Sequence, residues 1–270
     1  MSNDRTIELA PGLTKITGKD VLSWSGRIWF TAAAIGHWIF AFYVAALYVP
    51  LLIAQGAPGL EETHLPHGYV AGDDAHNGSM IAHLMLSILI VGGGPLQLIP
   101  AIRKRFPTFH RWNGRLWMSL AVVTATTGIY MNWTQEPIIG GVNGQIGTTI
   151  GGLLILAFAP ITLYYAIKRK IAIHHQWAIR LFMVVGVVWF FRIGYQFWAV
   201  TVGTNTLEFF KFWYHGQYLV PLLALELYFW ATRSHSAVAK YAVAVATLIL
   251  TLMMSIGIYG ATTNMWLARL

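Results

Sequence analysis

Residues 79–118 read SMIAHLMLSILIVGGGPLQLIPAIRKRFPTFHRWNGRLWM. One apolar run ends in a basic and aromatic turn, and a second apolar run starts at once. At ~100° per residue, His83, Ser87, Gly94 and Gln97 fall within one broad stripe. An otherwise greasy helix therefore carries a polar, small-residue face. The turn holds Arg103, Lys104, Arg105, His110, Arg111 and Arg115. Two apolar helices joined by such a turn form a transmembrane hairpin whose turn faces an anionic, cytoplasmic membrane surface.

The rest of the chain extends this pattern. Of 270 residues, 56% are hydrophobic and 10% charged, with mean hydropathy +0.57. A soluble domain carries about 25% charged residues, so this chain lacks the polar surface that water requires. The net charge of +8 sits at the ends of apolar runs. That placement points to the lipid bilayer as partner and away from nucleic acid. The absence of cysteine excludes disulfides, thiolate metal sites, iron–sulfur clusters and covalent haem attachment.

A span needs ~20 mostly apolar residues, and seven stretches qualify: 27–53, 79–102, 114–133, 147–167, 177–200, 217–231 and 238–260. The expected fold is an all-α polytopic bundle. Residues 1–26 form a cytoplasmic segment and residues 27–270 a single transmembrane domain. Basic turns at Arg103–Arg115, Lys168–Lys170 and Arg233–Lys240 alternate with loops poor in Lys and Arg. The N-terminal Lys15, Lys19 and Arg27 fall on the same side as these turns. The N-terminus is then cytoplasmic and the C-terminus outside, in a cell inner membrane. Tryptophans near the span ends, Trp24, Trp112, Trp117, Trp133, Trp177 and Trp230 among them, read mostly as headgroup anchors.

Ionisable residues inside spans are costly and mark function or pairing. Arg192 lies ~12 Å and Glu226 ~15 Å deep, counted at 1.5 Å per residue. An Arg192–Glu226 ion pair is expected, with an anion or cofactor carboxylate as the alternative partner of Arg192. His37, alone inside the first span, reads as a neutral histidine bonded to a neighbouring helix, with a ligand or proton-relay role as the alternatives.

The remaining histidines gather near the two faces. A b-type haem takes an imidazole from each of two helices. His83 with His215 would make an outer pair, and His110 with His174 or His175 an inner one. Gly92–Gly94 would give a macrocycle room, and Gln97 and Arg192 would support a cofactor or quinone. The outer loop carries His64, His67, Asp73, Asp74 and His76, a nitrogen and oxygen set suited to zinc, copper or nickel. The plain reading of that loop is a solvated polar connection. No nucleophile elbow, phosphate-binding glycine loop or HExxH motif is present.

Gly94-Pro95-Leu96-Gln97, Pro107-x-x-His110-Arg111-x-x-Gly114-Arg115 and His175-x-Trp177-x-x-Arg180, followed by Arg192, resemble an uncharacterised bacterial family of multi-pass membrane proteins. That resemblance implies the fold and an inner-membrane location. The layout of histidines is distantly similar to cytochrome b561-like proteins. The leading functional expectation is a haem-b-type electron carrier or quinone-linked redox protein working with another membrane redox subunit. A metal-handling protein and a structural or assembly subunit are the alternatives.

Overall fold

The computed structural model describes residues 16–204 and 206–270. Nine helices account for most of them: α1 (Gly18–Gln55), α2 (Asp74–Leu98), α3 (Pro100–Arg105), α4 (Pro107–Thr134), α5 (Gly141–Ile167), α6 (Ile171–Val185), α7 (Val187–Val202), α8 (Leu207–Arg233) and α9 (Ala237–Ala261). The described residues contain no strand.

Local chemistry sets the ends. Thr17 and Asp20 form a capping box on α1, with the Asp20 carboxylate accepting from Thr17 N at 3.0 Å. Asp73 caps α2 by accepting from His76 N at 2.9 Å. Pro100 and Pro107 each open a helix, where a missing N–H costs nothing. α1 starts nine residues before the expected domain boundary at Arg27. Its first turns already pack inward, with Leu22 buried against Ala231 and Ala244. Residues 1–15 of the expected cytoplasmic segment, Lys15 included, lie outside the described residues.

Four helices are long and apolar enough to cross a membrane: α1, α2, α5, and α9 with its C-terminal extension. α6 and α7 make a fifth crossing if counted as one span bent by 56°. α4 and α8, at the places of the other two expected spans, have 28 and 27 residues. Both are long enough, but neither is apolar enough to stand with those five.

The helices close a ring in which α1 packs on α9 and α2, α2 on α4, α4 on α5, α5 on α6, and α7 back on α9. α8 leans on α5, α6, α7 and α9. One core cluster joins α1, α2, α6, α7, α8 and α9 through Phe40, Tyr43, Leu84, Phe182, Trp189, Phe229 and Met254. A second, around Trp117, Ala121, Ile155 and Leu181, joins α2, α4, α5 and α6.

Trp117 departs from the headgroup role expected of it. Only 6% exposed, it lies flat against Gly94, where a Cβ would come within 3.1 Å of the indole nitrogen. Its Nε1 donates to the Ile90 carbonyl at 2.9 Å. The Gly94 side of the glycine run is thus filled by indole, while Gly92 and Gly93 border a small cavity of about 250 Å³. Trp24, Trp112, Trp133 and Trp230 stay exposed, as anchors would.

Candidate functional site

The outer loop is built by its polar side chains. Asn77 Nδ2 donates to Val70 O (2.8 Å) while its Oδ1 accepts from Val70 N (2.9 Å). His76 is 1% exposed and donates through Nε2 to the His67 carbonyl at 2.7 Å. His67 adopts a left-handed φ of 53° and donates through Nε2 to Glu136 O at 3.1 Å. Asp73 serves as the α2 cap, and Asp74 lies in the first turn of α2. His64 sits next to Thr63, which closes the preceding turn onto Leu60. Among the described residues, no three His, Asp or Glu side chains gather so as to hold a metal ion.

The histidines of the expected haem pairs have varied partners. His215 uses both ring nitrogens: Nε2 donates to Asn143 Oδ1 (3.0 Å) and Nδ1 accepts from the Tyr218 hydroxyl (2.7 Å). Asn143 in turn donates to Lys211 O at 2.9 Å, so this network ties α5 to α8. His83 packs in the α2–α4 interface, its Cε1 against Gly128. Its Nδ1 is buried without a protein partner, as is Thr124 Oγ1 on α4.

At the inner face, Gln97 orients its amide by the surrounding network. It donates to His110 Nδ1 (3.0 Å) and accepts from Gly114 N (3.2 Å) and from Asn113. His174 donates through Nδ1 to Thr162 O (3.0 Å), pinning α6 to α5. His110 lies in the first turn of α4 and His175 near the start of α6, inside helices and not in the turns expected for them.

The expected Arg192–Glu226 pair does not form. Glu226 takes a bidentate bond from Arg180, Nε to Oε1 at 2.6 Å and Nη2 to Oε2 at 2.9 Å. The Arg180 guanidinium also lies 5.0 Å from the Trp177 ring and 5.1 Å from the Phe229 ring. The reason is helix length. α8 begins at Leu207, ten residues before its expected start, so Glu226 sits ~28 Å from the outer end at 1.5 Å per residue. Arg180 lies ~14 Å from the inner start of α6 by the same count, at a matching depth. Arg192 lies beyond the α6–α7 bend, in the outer half. His37 is buried and donates through Nδ1 to Ala33 O of its own helix at 2.7 Å, with its ring against Trp189 and Phe182.

One concave feature is not revealed by periodicity. An open-sided groove of about 940 Å³ runs between α1, α6, α7, α8 and α9. Along α8 its lining extends from Phe209 to Thr232, ~35 Å at 1.5 Å per residue. That matches the ~30 Å thickness of bilayer hydrocarbon. Its walls are aromatic and thioether: Trp29, Phe190, Phe197, Trp198, Phe212, Trp213, Met183, Met253 and Met254. Polar groups gather toward the inner end, where Ser23, Arg27, His175, Gln176, Tyr228 and Thr232 line it. α8 is held off its neighbours by pins at two levels, Arg180–Glu226 below and the His215–Asn143 network above. Of the sequence candidates only His175 borders this groove. The other lining residues carry no signal that separates them from lipid-facing ones.

Residues 80–230 match the model of a family described as Predicted membrane protein (DUF2306). No curated protein and no solved structure matches the chain. The similarity to cytochrome b561-like proteins therefore finds no counterpart in these comparisons.

Proposed function

We propose that this chain, which belongs to the predicted membrane protein family DUF2306, is a quinone-linked redox protein that seats an isoprenoid-quinone-like lipophile in the groove beside α8. The groove itself carries the reading. Its volume lies at the upper end of the ~300–1,000 Å³ typical of ligand pockets. An isoprenoid tail needs a long apolar channel, and a quinone head needs a few donors at one end. Aromatic and methionine walls suit the first, and Arg27, His175 and Gln176 suit the second. A neutral imidazole at the head can take a proton or pass one on, which quinone reduction requires. Electrons would come from a membrane redox partner. Haem b is the weaker branch, because His215 and His110 already spend ring nitrogens on Tyr218, Asn143 and Gln97.

Purification in a mild detergent followed by solvent extraction and mass spectrometry tests this. Near-stoichiometric quinone is the expected result, with reduced occupancy in Ala224→Phe, which narrows the groove. An extract holding phospholipid alone would overturn the reading.

The same account places seven crossings in an inner membrane, α4 and α8 included, with the basic turns in the cytoplasm. The cysteine-free chain makes every introduced thiol unique. In spheroplasts, Glu62→Cys and Thr204→Cys should react with an impermeant maleimide. Arg105→Cys and Lys168→Cys should react only after the membrane is opened. The reverse pattern would invert the topology, and labelling of all four from one side would remove the seven-span count.

A further inference from the structure

Arg192 projects among aromatic side chains of α1 and α8. Its guanidinium lies 5.3 Å from the Phe40 ring. Tyr43, Tyr48 and Tyr214 are close enough for its charge to act on them, and so is Arg269 near the C-terminus. Phe40, Tyr43, Tyr48 and Tyr214 are each no more than 5% exposed. Arg192 itself is less buried than these neighbours, so its remaining donors stay accessible.

Its hydrogen bonding is incomplete. A guanidinium has five N–H donors, and one of them reaches a protein acceptor, Nη1 to the Val188 carbonyl at 3.1 Å. Among the described residues, neither Arg192 nor Arg269 takes part in an ion pair. Two cations therefore act on each other with no acid paired to either, and three tyrosines lie within reach of the Arg192 charge. Nearby, His83 keeps a buried ring nitrogen without a partner. Above them, Leu60, Leu65 and Tyr69 of the outer loop pack on the core cluster that contains Tyr43 and Tyr48. A cation in such a place is costly unless something opposite compensates it. The planar fork of arginine fits a carboxylate with two parallel bonds. Four aromatic rings around it favour an organic acid over a strongly hydrated inorganic anion.

We propose that Arg192 is the anchor of a carboxylate-binding site in the outer half of the bundle, roofed by the 57–73 loop, with tyrosine hydroxyls as its further donors. This goes beyond the quinone reading, since neither Arg192 nor these tyrosines line the groove beside α8. Two sources share this chemistry, a small dissolved organic acid and the head of a fatty acid.

Thermal unfolding of the purified chain in neutral detergent separates the outcomes. Sodium benzoate, sodium dodecanoate and sodium phosphate are each titrated against sodium chloride at equal ionic strength. The expected result is a saturable rise in midpoint with a carboxylate, absent in Arg192→Gln and at least tenfold weaker in apparent affinity in Arg192→Lys. A response to benzoate identifies a small acid, and a response to dodecanoate alone identifies a fatty acid. No shift beyond chloride, a shift with phosphate only, or an equal shift in Arg192→Gln would overturn the proposal. If Arg192→Gln does not fold, Tyr48→Phe keeps the ring and removes one donor. An unchanged carboxylate affinity in that variant would overturn it equally.

Discussion

Replacing Arg180 with methionine is expected to cost on the order of 3 kcal/mol, because it strands a carboxylate that accepts two bonds from one guanidinium. The Glu226 side chain keeps 45% of its surface exposed. In water that exposure would reduce the pair to about 0–1 kcal/mol. In the proposed seven-crossing arrangement the exposed side meets lipid, which neither solvates nor screens a charge. Arg180→Met should therefore lower the unfolding midpoint by roughly 6–12 °C, at about 2–4 °C per kcal/mol for a chain near this size. Glu226→Met should cost less than Arg180→Met, since the freed guanidinium keeps its contacts with Trp177 and Phe229. The double variant should recover most of the loss, because two apolar side chains of similar volume replace the pair. Arg192→Met combined with Glu226→Met should be additive, since those residues do not meet. Coupling in that second cycle, or additivity in the first, would show that the pairing is assigned to the wrong arginine.

The second large effect belongs to Gly257. α9 crosses α7 there so closely that a Cβ would run into the Ile193 backbone carbonyl. Backbone cannot swing aside as a flexible side chain can. The two helices would have to part, loosening Met254 and Ala261 on one side and Ile193 on the other. Gly257→Ala should cost about 1–3 kcal/mol, as overpacking does. Gly257→Val should leave little monodisperse protein after detergent extraction. Gly78, with open space where its Cβ would stand, provides the contrast. Gly78→Ala in α2 should be neutral or gain about 0.5–1 kcal/mol. If both alanine variants behave alike, the close α7–α9 crossing is wrong.

How far the residues spoke for themselves depends on the kind of signal. Apolar length marks α1, α2, α5, α9 and the bent α6–α7 pair, because hydrocarbon thickness acts on each segment separately. His37 was expected to bond to a neighbouring helix, since a lone imidazole at depth must find an acceptor, and that expectation missed the nearest carbonyl. Its carbonyl partner lies on its own helix. Pairing between helices was less legible. Glu226 was matched to Arg192 because the outer start of α8 was set at Gln217, where apolar density rises. Phe209–Tyr214 extend the helix outward through aromatic packing against α7. Asp73, His67 and His76 looked like a donor set because sequence shows residue types and not directions. Asp73 Oδ1, His67 Nε2 and His76 Nε2 instead bond to the backbone groups of His76, Glu136 and His67. The groove was invisible because a residue lining an internal apolar channel and one facing lipid carry the same side chain.

The groove beside α8 bears most of the functional account, and tryptophan fluorescence examines it directly. Trp29, Trp198 and Trp213 line it, and quinone rings quench indole emission at short range. Titrating a short-chain decyl quinone into the purified protein should give saturable quenching at low micromolar concentration, weakened in Ala224→Phe. Quenching that rises linearly without saturation, and equally in both proteins, would mean that quinone dissolves in the detergent and the groove holds none.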